Sequence, residues 1–206
     1  MSTSSPVTEA PPVSGARGEG RIGPNSVLQL VTVLDARLGA TARDSLLRRA
    51  GLTELPGTEG LMTESPAVRL HRLLRHEHGA ASAALLREAG RRTADYLLAH
   101  RIPRFVHWTL AALPKRRASA LLSRAIARNA WTFAGSGHFQ YLAGTPPVFL
   151  LHDNPLVRGD SAEQPLCHWH TAVFERLFTV LVDPGLRVEE TACCAMGAPA
   201  CRFTLH

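Results

Sequence analysis

Apolar residues recur at helical spacing through the first two-thirds of the chain and alternate over short runs in the last third. Val27, Leu30, Val31, Leu34 and Leu38 form one stripe, with Asn25 or Ser26 as N-cap and Gly39 as the stop. A second helix, ARDSLLRRAGL, is predicted after Thr41 and closes at Gly51. Pro56, Gly57 and Gly60 mark residues 53–64 as a loop. Ser65-Pro66 then opens a helix through Val68, Leu70, Leu73 and Leu74 towards Gly79. Residues 80–100 are Ala- and Leu-rich and helical. Pro103 and Pro114 break the next stretch, and a long helix is predicted over about 115–133.

The period changes after Gly135. SGHFQYLAG and PPVFLLHDNP predict two short strands joined by Gly144-Thr145-Pro146-Pro147. Residues 154–165 predict a loop and 166–182 a further helix. After the Asp183-Pro184-Gly185 turn, LRVEETACC and CRFTLH predict a closing hairpin. The fold class expected is α+β, a helical N-terminal two-thirds packed on a small antiparallel sheet.

Residues 1–23 lack this patterning. They are rich in Ser, Pro, Gly, Thr and Glu and predict a disordered tail ahead of one domain over 24–206. The tail has neither the basic nor the apolar region of a secretory signal. VFLL at 148–151 is only strand-length, and Val173–Val182 is broken by Glu175 and Arg176, so no membrane-spanning helix is expected.

Net charge is +6, but residues 69–128 carry thirteen Lys/Arg against three Asp/Glu. A surface of this kind suits anionic ligands, acidic proteins or lipid headgroups. Nucleic acid is not expected, because no binding motif accompanies the charge.

All four cysteines, Cys167, Cys193, Cys194 and Cys201, lie in the last 40 residues. A cytoplasmic location, which the missing signal suggests, disfavours disulfides and favours metal. Zinc takes four ligands in a tetrahedron and suits thiolates. Cys167 begins the last helix, AMGAPA could fold Cys193 onto Cys201, and Glu190 lies three residues before Cys193. In a regular strand, however, Glu190 shares a face with Cys194, so pairing it with Cys193 requires a bulge. Spacing alone leaves Cys193 and Cys194 open, and leaves His168, His170 and His206 as substitute ligands. Buried, reduced cysteines are the plain alternative.

The series Cys167, Glu190, Cys193 and Cys201, the last three within VEETACCAMGAPACRF, resembles the C-terminal signature of the 4-vinyl reductase domain family. The resemblance implies a structural zinc on those four residues, with Cys193 rather than Cys194 as ligand. It also implies a fold shared with vesicle-tethering TRAPP subunits and related to haem-based nitric-oxide sensors. LPKRRASALLSRAIARNAWTFAGSG and NPLVRG…CHWHTAVFERLF resemble the branch of that family concerned with bacteriochlorophyll biosynthesis.

The family name implies reduction of a vinyl group, which needs an electron source. Gly135-Ser136-Gly137 is only half of a dinucleotide fingerprint, and no iron–sulfur spacing remains once zinc is placed. The expectation is therefore a carrier that binds a magnesium-porphyrin or protochlorophyllide-type tetrapyrrole and delivers it. Vinyl reductase, small-molecule sensor and scaffold are the alternatives. A flat ligand with carboxylates on one edge wants an apolar pocket with a basic mouth. Candidate pocket residues are Phe105, His107, Trp108, Arg128, Trp131, Phe133, His138 and Tyr141, with His107 or His138 as axial ligand to magnesium. Phe139, Arg101, Arg104 and Arg124 are further candidates. Each aromatic could equally be core, and each histidine an ordinary surface group. Asp95, Glu175 and His170 form no catalytic constellation, and the His168–His170 run reads as second-layer or surface groups. A homodimer is expected from the resemblance. Magnesium chelatase and the magnesium-protoporphyrin methyltransferase are partners suggested by the pathway.

Overall fold

The computed structural model describes residues 19–206, so the tail expected over residues 1–18 lies outside the described residues. Order begins earlier than the expected domain start. Arg21–Ile22 (β1) pairs antiparallel with Met62–Thr63 (β2), inside the predicted loop, and Ile22 is fully buried. One large apolar side chain in a polar stretch is enough to dock it.

The helices are α1 (Asn25–Leu38), α2 (Ala40–Ala50), α3 (Glu64–His78), α4 (Ala81–His100), α5 (Arg104–Ala111), α6 (Lys115–Arg128) and α7 (His168–Leu181). Thr41 is not the α2 cap; the helix starts at Ala40, directly after Gly39. The helix predicted to reach residue 133 ends at Arg128. The Asn129 side-chain amide donates to the Ala125 carbonyl at 2.8 Å, and a 3-10 turn, Ala130–Thr132, follows. The Thr132 carbonyl then accepts from Gly23 N–H at 2.7 Å, which ties the turn to the β1 segment.

The sheet comprises β3 (His138–Leu142), β4 (Val148–His152), β5 (Val188–Ala192) and β6 (Ala200–Leu205) in the order β3-β4-β6-β5, all antiparallel. Alternation puts Phe139, Phe149, Leu151, Cys201 and Phe203 on the face that meets α7. Phe174 of α7 sits with its ring 5.0 Å from Phe149 and 5.3 Å from Phe203. On its other side α7 packs along α4. Gly90 of α4 makes this approach possible, because a Cβ there would collide with the Trp169 carbonyl and the Ala172 methyl. Enclosed by α4 and the sheet, α7 is apolar almost all round.

The helical half also grips the segment that leads into α7. Arg75 of α3 donates to the Leu156 carbonyl at 2.6 Å and pairs with Asp160, while Arg72 donates to the Gly159 carbonyl at 2.7 Å. Buried Glu64 accepts from the backbone and hydroxyl of Ser136, each at 2.6 Å, and is paired with Arg158. Residues 154–165 are thus anchored by side-chain bonds rather than by regular structure, with one 3-10 turn at Pro155–Val157.

Candidate functional site

Three elements converge on one buried point. Cys167 caps the N-terminus of α7, Cys201 lies on the inner face of β6, and Cys193 follows β5. The bulge that the spacing required is present: Glu190 pairs with Phe203 but Ala192 pairs with Arg202, so the strand advances two residues against one. This reverses the alternation and turns Glu190 and Cys193 to the same face. A 3-10 turn, Cys194–Met196, then folds back, with Gly197 at φ 82° in the left-handed region that favours glycine.

The ligand atoms of Cys167, Glu190, Cys193 and Cys201 all lie within 4.8 Å of one another, and all four residues are buried. The sulfurs are 3.9 Å (Cys167–Cys193), 3.8 Å (Cys193–Cys201) and 3.2 Å (Cys167–Cys201) apart. Zinc–sulfur bonds of about 2.3 Å in a tetrahedron set sulfurs about 3.8 Å apart, which two of the three separations match. Cys194 stands outside the cluster, its sulfur 3.8 Å from the Leu151 carbonyl. The substitute histidines stand outside it too. His170 is fully buried with Nε2 3.5 Å from the Phe133 carbonyl, which corrects its reading as a surface or second-layer group. His206 lies 3.6 Å from Glu189, and His168 is half-buried beside the cluster.

The chemistry of the cluster fits a cation. Burial raises the Cys167 thiol, and burial together with the neighbouring Cys193 sulfur pushes Glu190 up to about 8. Cys193 is held low by hydrogen bonds from the Cys167 and Cys201 thiols. Cys201 is raised: the hydrogen bond from Cys167 lowers it, but its donation to Cys193 and its burial prevail. Four acidic groups in one desolvated space cannot all ionise unless a positive charge joins them. Glu190 Oε2 accepts from Cys167 N–H at 2.7 Å, whereas Glu190 Oε1 is buried with no hydrogen-bond partner. A metal ion would satisfy that orphaned oxygen.

Sequence reasoning missed one residue here. Asn154 is fully buried, with Nδ2 3.1 Å from the Cys167 sulfur and 3.6 Å from the Cys201 sulfur. Its Oδ1 accepts from Leu156 N–H at 3.1 Å, which fixes the amide's orientation. Cys194 N–H also points at the Cys201 sulfur, at 3.4 Å. N–H donors of this kind stabilise thiolates. An Asn in a loop carries no periodicity or spacing signal; only the tertiary approach reveals it.

A cavity of about 470 Å³ shares α7 with the cluster and runs between α4, α6 and α7. Trp131, Phe133, Trp169 and Phe174 line it, Leu122 and Ile126 come from α6, and Arg101 stands in its wall beside Glu59. Trp169 is buried and donates Nε1–H to Thr93 at 3.2 Å, so it too is no surface group. Of the eight pocket candidates, Trp131 and Phe133 reach this cavity; the other six do not line it. Phe105 and Trp108 project outward from α5, and Arg128 is exposed at the end of α6. His107 Nε2 is buried without a hydrogen-bond partner, elsewhere than the cavity lining. His138 is exposed on edge strand β3 opposite His152, and Tyr141 packs on Phe149. Single-residue typing could not tell which face of α5 or β3 meets the cavity.

Comparison with known proteins places these features in a family. Residues 147–206, which hold the whole β4–β6 region and the cluster, match the 4-vinyl reductase domain. The chain is 52% identical over 186 residues to the "Bacteriochlorophyll synthase 23 kDa chain" of Cereibacter sphaeroides, covering 90% of each chain. It is 45% identical to the protein of the same name from Rhodobacter capsulatus, covering 91% of this chain and 88% of that one. In fold it is similar to an Fe(II) unliganded H-NOX protein mutant from K. algicida, with TM-score 0.58, 11% identity, and coverage of 90% of this chain and 96% of the other. An Fe(II)NO H-NOX protein from S. oneidensis is similar with TM-score 0.56, 12% identity, and 90% and 98% coverage. The architecture is therefore the H-NOX-like α+β fold, and the chain belongs to the 4-vinyl reductase domain family, in the group that carries the name bacteriochlorophyll synthase 23 kDa chain.

Proposed function

We propose that this protein is an accessory component of bacteriochlorophyll biosynthesis that binds a magnesium-porphyrin or protochlorophyllide-type tetrapyrrole and delivers it to pathway enzymes. The observation that carries the reading is the cavity of about 470 Å³ beside α7, walled by Trp131, Phe133 and Trp169. Its size lies within the roughly 300–1,000 Å³ of small-molecule sites, and its aromatic lining suits a flat macrocycle. Arg101, in its wall, bonds to the Thr58 carbonyl at 2.9 Å and pairs with Glu59 at 3.0 Å, partners that a ligand carboxylate can displace. The relatives named for bacteriochlorophyll synthesis support the pathway.

The ion proposed for Cys167, Glu190, Cys193 and Cys201 is zinc. Four protein ligands fill a tetrahedral shell, so the site is structural: it staples β5 and β6 to α7. When bound, zinc would neutralise the thiolates and the Glu190 carboxylate there. Magnesium chelatase and the methyltransferase that follows it are the proposed recipients or donors. The proposed assembly is a homodimer in the cytoplasm with peripheral contact at the photosynthetic membrane. No helix among the described residues is long and apolar enough to cross a membrane.

The test is a titration of the full chain with divinyl and monovinyl magnesium-porphyrins, read by absorbance and repeated with NADPH. A saturable spectral shift that NADPH leaves unchanged, and that Trp131→Ala weakens, is expected. Conversion of the divinyl to the monovinyl spectrum would make the protein a reductase, and absence of binding would remove the carrier reading.

A further inference from the structure

The basic segment and the outward aromatics remain unused by the cavity and the cluster. Phe105 is 63% exposed and Trp108 is 70% exposed, three residues apart on one face of α5, whose Leu110 is buried. After the short link Ala112–Pro114, α6 packs against α5. Ala118, Leu122 and Ile126 face inward, while Arg117, Leu121, Arg124 and Arg128 form an exposed stripe at spacings of four, three and four. Residues 96–152 contain seven Lys/Arg and no Asp or Glu. Among the described residues Arg104, Arg116, Arg117, Arg124 and Arg128 make no ion pair, whereas Arg37, Arg43, Arg49 and Arg176 on other helices are all paired.

We propose that the α5–α6 pair is a docking face for an anionic lipid bilayer, with Phe105, Trp108 and Leu121 entering the headgroup–acyl boundary and the five free arginines contacting lipid phosphates. A bare Trp, a bare Phe and unneutralised cations on one helix pair match the two requirements of interfacial binding, apolar insertion and attraction to anionic headgroups. Indole is amphipathic and settles at that depth. Charge complementarity makes the partner anionic; the apolar side chains set among the arginines favour lipid over a polar acidic surface. The opposite face of α6 supplies Leu122 and Ile126 to the cavity wall, so one helix separates bilayer from cavity. The inference assigns residues to the peripheral location proposed above, but it needs no tetrapyrrole, so it can fail while ligand binding stands.

The test is co-sedimentation of the full chain with vesicles of phosphatidylcholine alone and of phosphatidylcholine mixed with phosphatidylglycerol. Binding is expected only to the mixed vesicles and is expected to fall with added salt. Arg116→Glu with Arg117→Glu should weaken it by more than about tenfold, at roughly 1 kcal/mol per basic residue near the surface. Phe105→Ser with Trp108→Ser should weaken it by about tenfold. Arg48→Glu with Arg202→Glu, exposed and elsewhere, should leave it unchanged, and all variants should melt with the parent because the positions are exposed. No binding by the parent chain would overturn the proposal, as would equal loss in the Arg48/Arg202 control or full binding by the Phe105/Trp108 variant. If the parent ignores vesicles and the Phe105/Trp108 variant loses a dimer on gel filtration, the face belongs to a second copy of this chain.

Discussion

Cys201 and Cys194 show how sharply the local backbone sorts chemically identical residues. Cys201 is inside the cluster and Cys194, one residue past Cys193, is outside it. Cys201→Ala should therefore lower zinc below stoichiometric content by metal analysis and destabilise the β5–β6 region by several kcal/mol. Cys194→Ala should leave zinc in place; equal zinc loss in both would contradict the assigned ligand set. Asn154→Ala removes the amide that faces two sulfurs. It should retain zinc at stoichiometry but bind it about 10–100-fold more weakly, read as faster transfer to a chromogenic chelator.

The helix pair α4–α7 carries the cavity wall and the Cys167 cap together, and its spacing hangs on Gly90. An alanine inside a helix is normally favoured over glycine by about 1 kcal/mol. Here the added methyl meets the Trp169 carbonyl, a backbone atom that cannot rotate away. Gly90→Ala should destabilise the protein by about 1–3 kcal/mol in urea melts, and a stabilised variant would show that the helices separate freely. The β5 bulge acts on the same scale. Deleting Thr191 would restore simple alternation and turn Glu190 and Cys193 to opposite faces.

Two neutral histidines are sealed into the molecule as a whole. His71 of α3 is fully buried, its Nε2 2.9 Å from the Ser26 carbonyl, and His170 lies among Phe133, Phe174 and Phe203. Burial lowers His71 to about 3 and His170 to about 4, against 6.5 for the free side chain. Below pH 6.5 the unfolded chain thus binds protons that the folded chain refuses, so stability is full above that pH and is lost as pH falls towards 4. His71→Gln should remove one proton from this dependence, flattening the stability slope between pH 6 and 4.5 by up to about 1.4 kcal/mol per pH unit relative to the parent. An unchanged slope would mean that His71 is not held neutral.

Helices α1, α3 and α4, the prolines that bound α5 and α6, and the four strands were legible because each rests on local spacing: an apolar period, a breaker or a turn. The ligand types were legible as well, since cysteines gathered at one end of a chain stand out whatever the fold. Other features depend on residues far apart in sequence. The docking of Ile22 beside β2, the insertion of β6 between β4 and β5, and the end of α6 at Asn129 are decided by long-range pairing. The same holds for Asn154 at the sulfurs, for His170 in the core, and for the outward turn of Phe105 and Trp108. The elements and the donor chemistry could be read from the chain alone, because spacing and side-chain type are local properties. Which face each element buries was settled in three dimensions, because burial is a property of the neighbours that arrive from elsewhere in the chain.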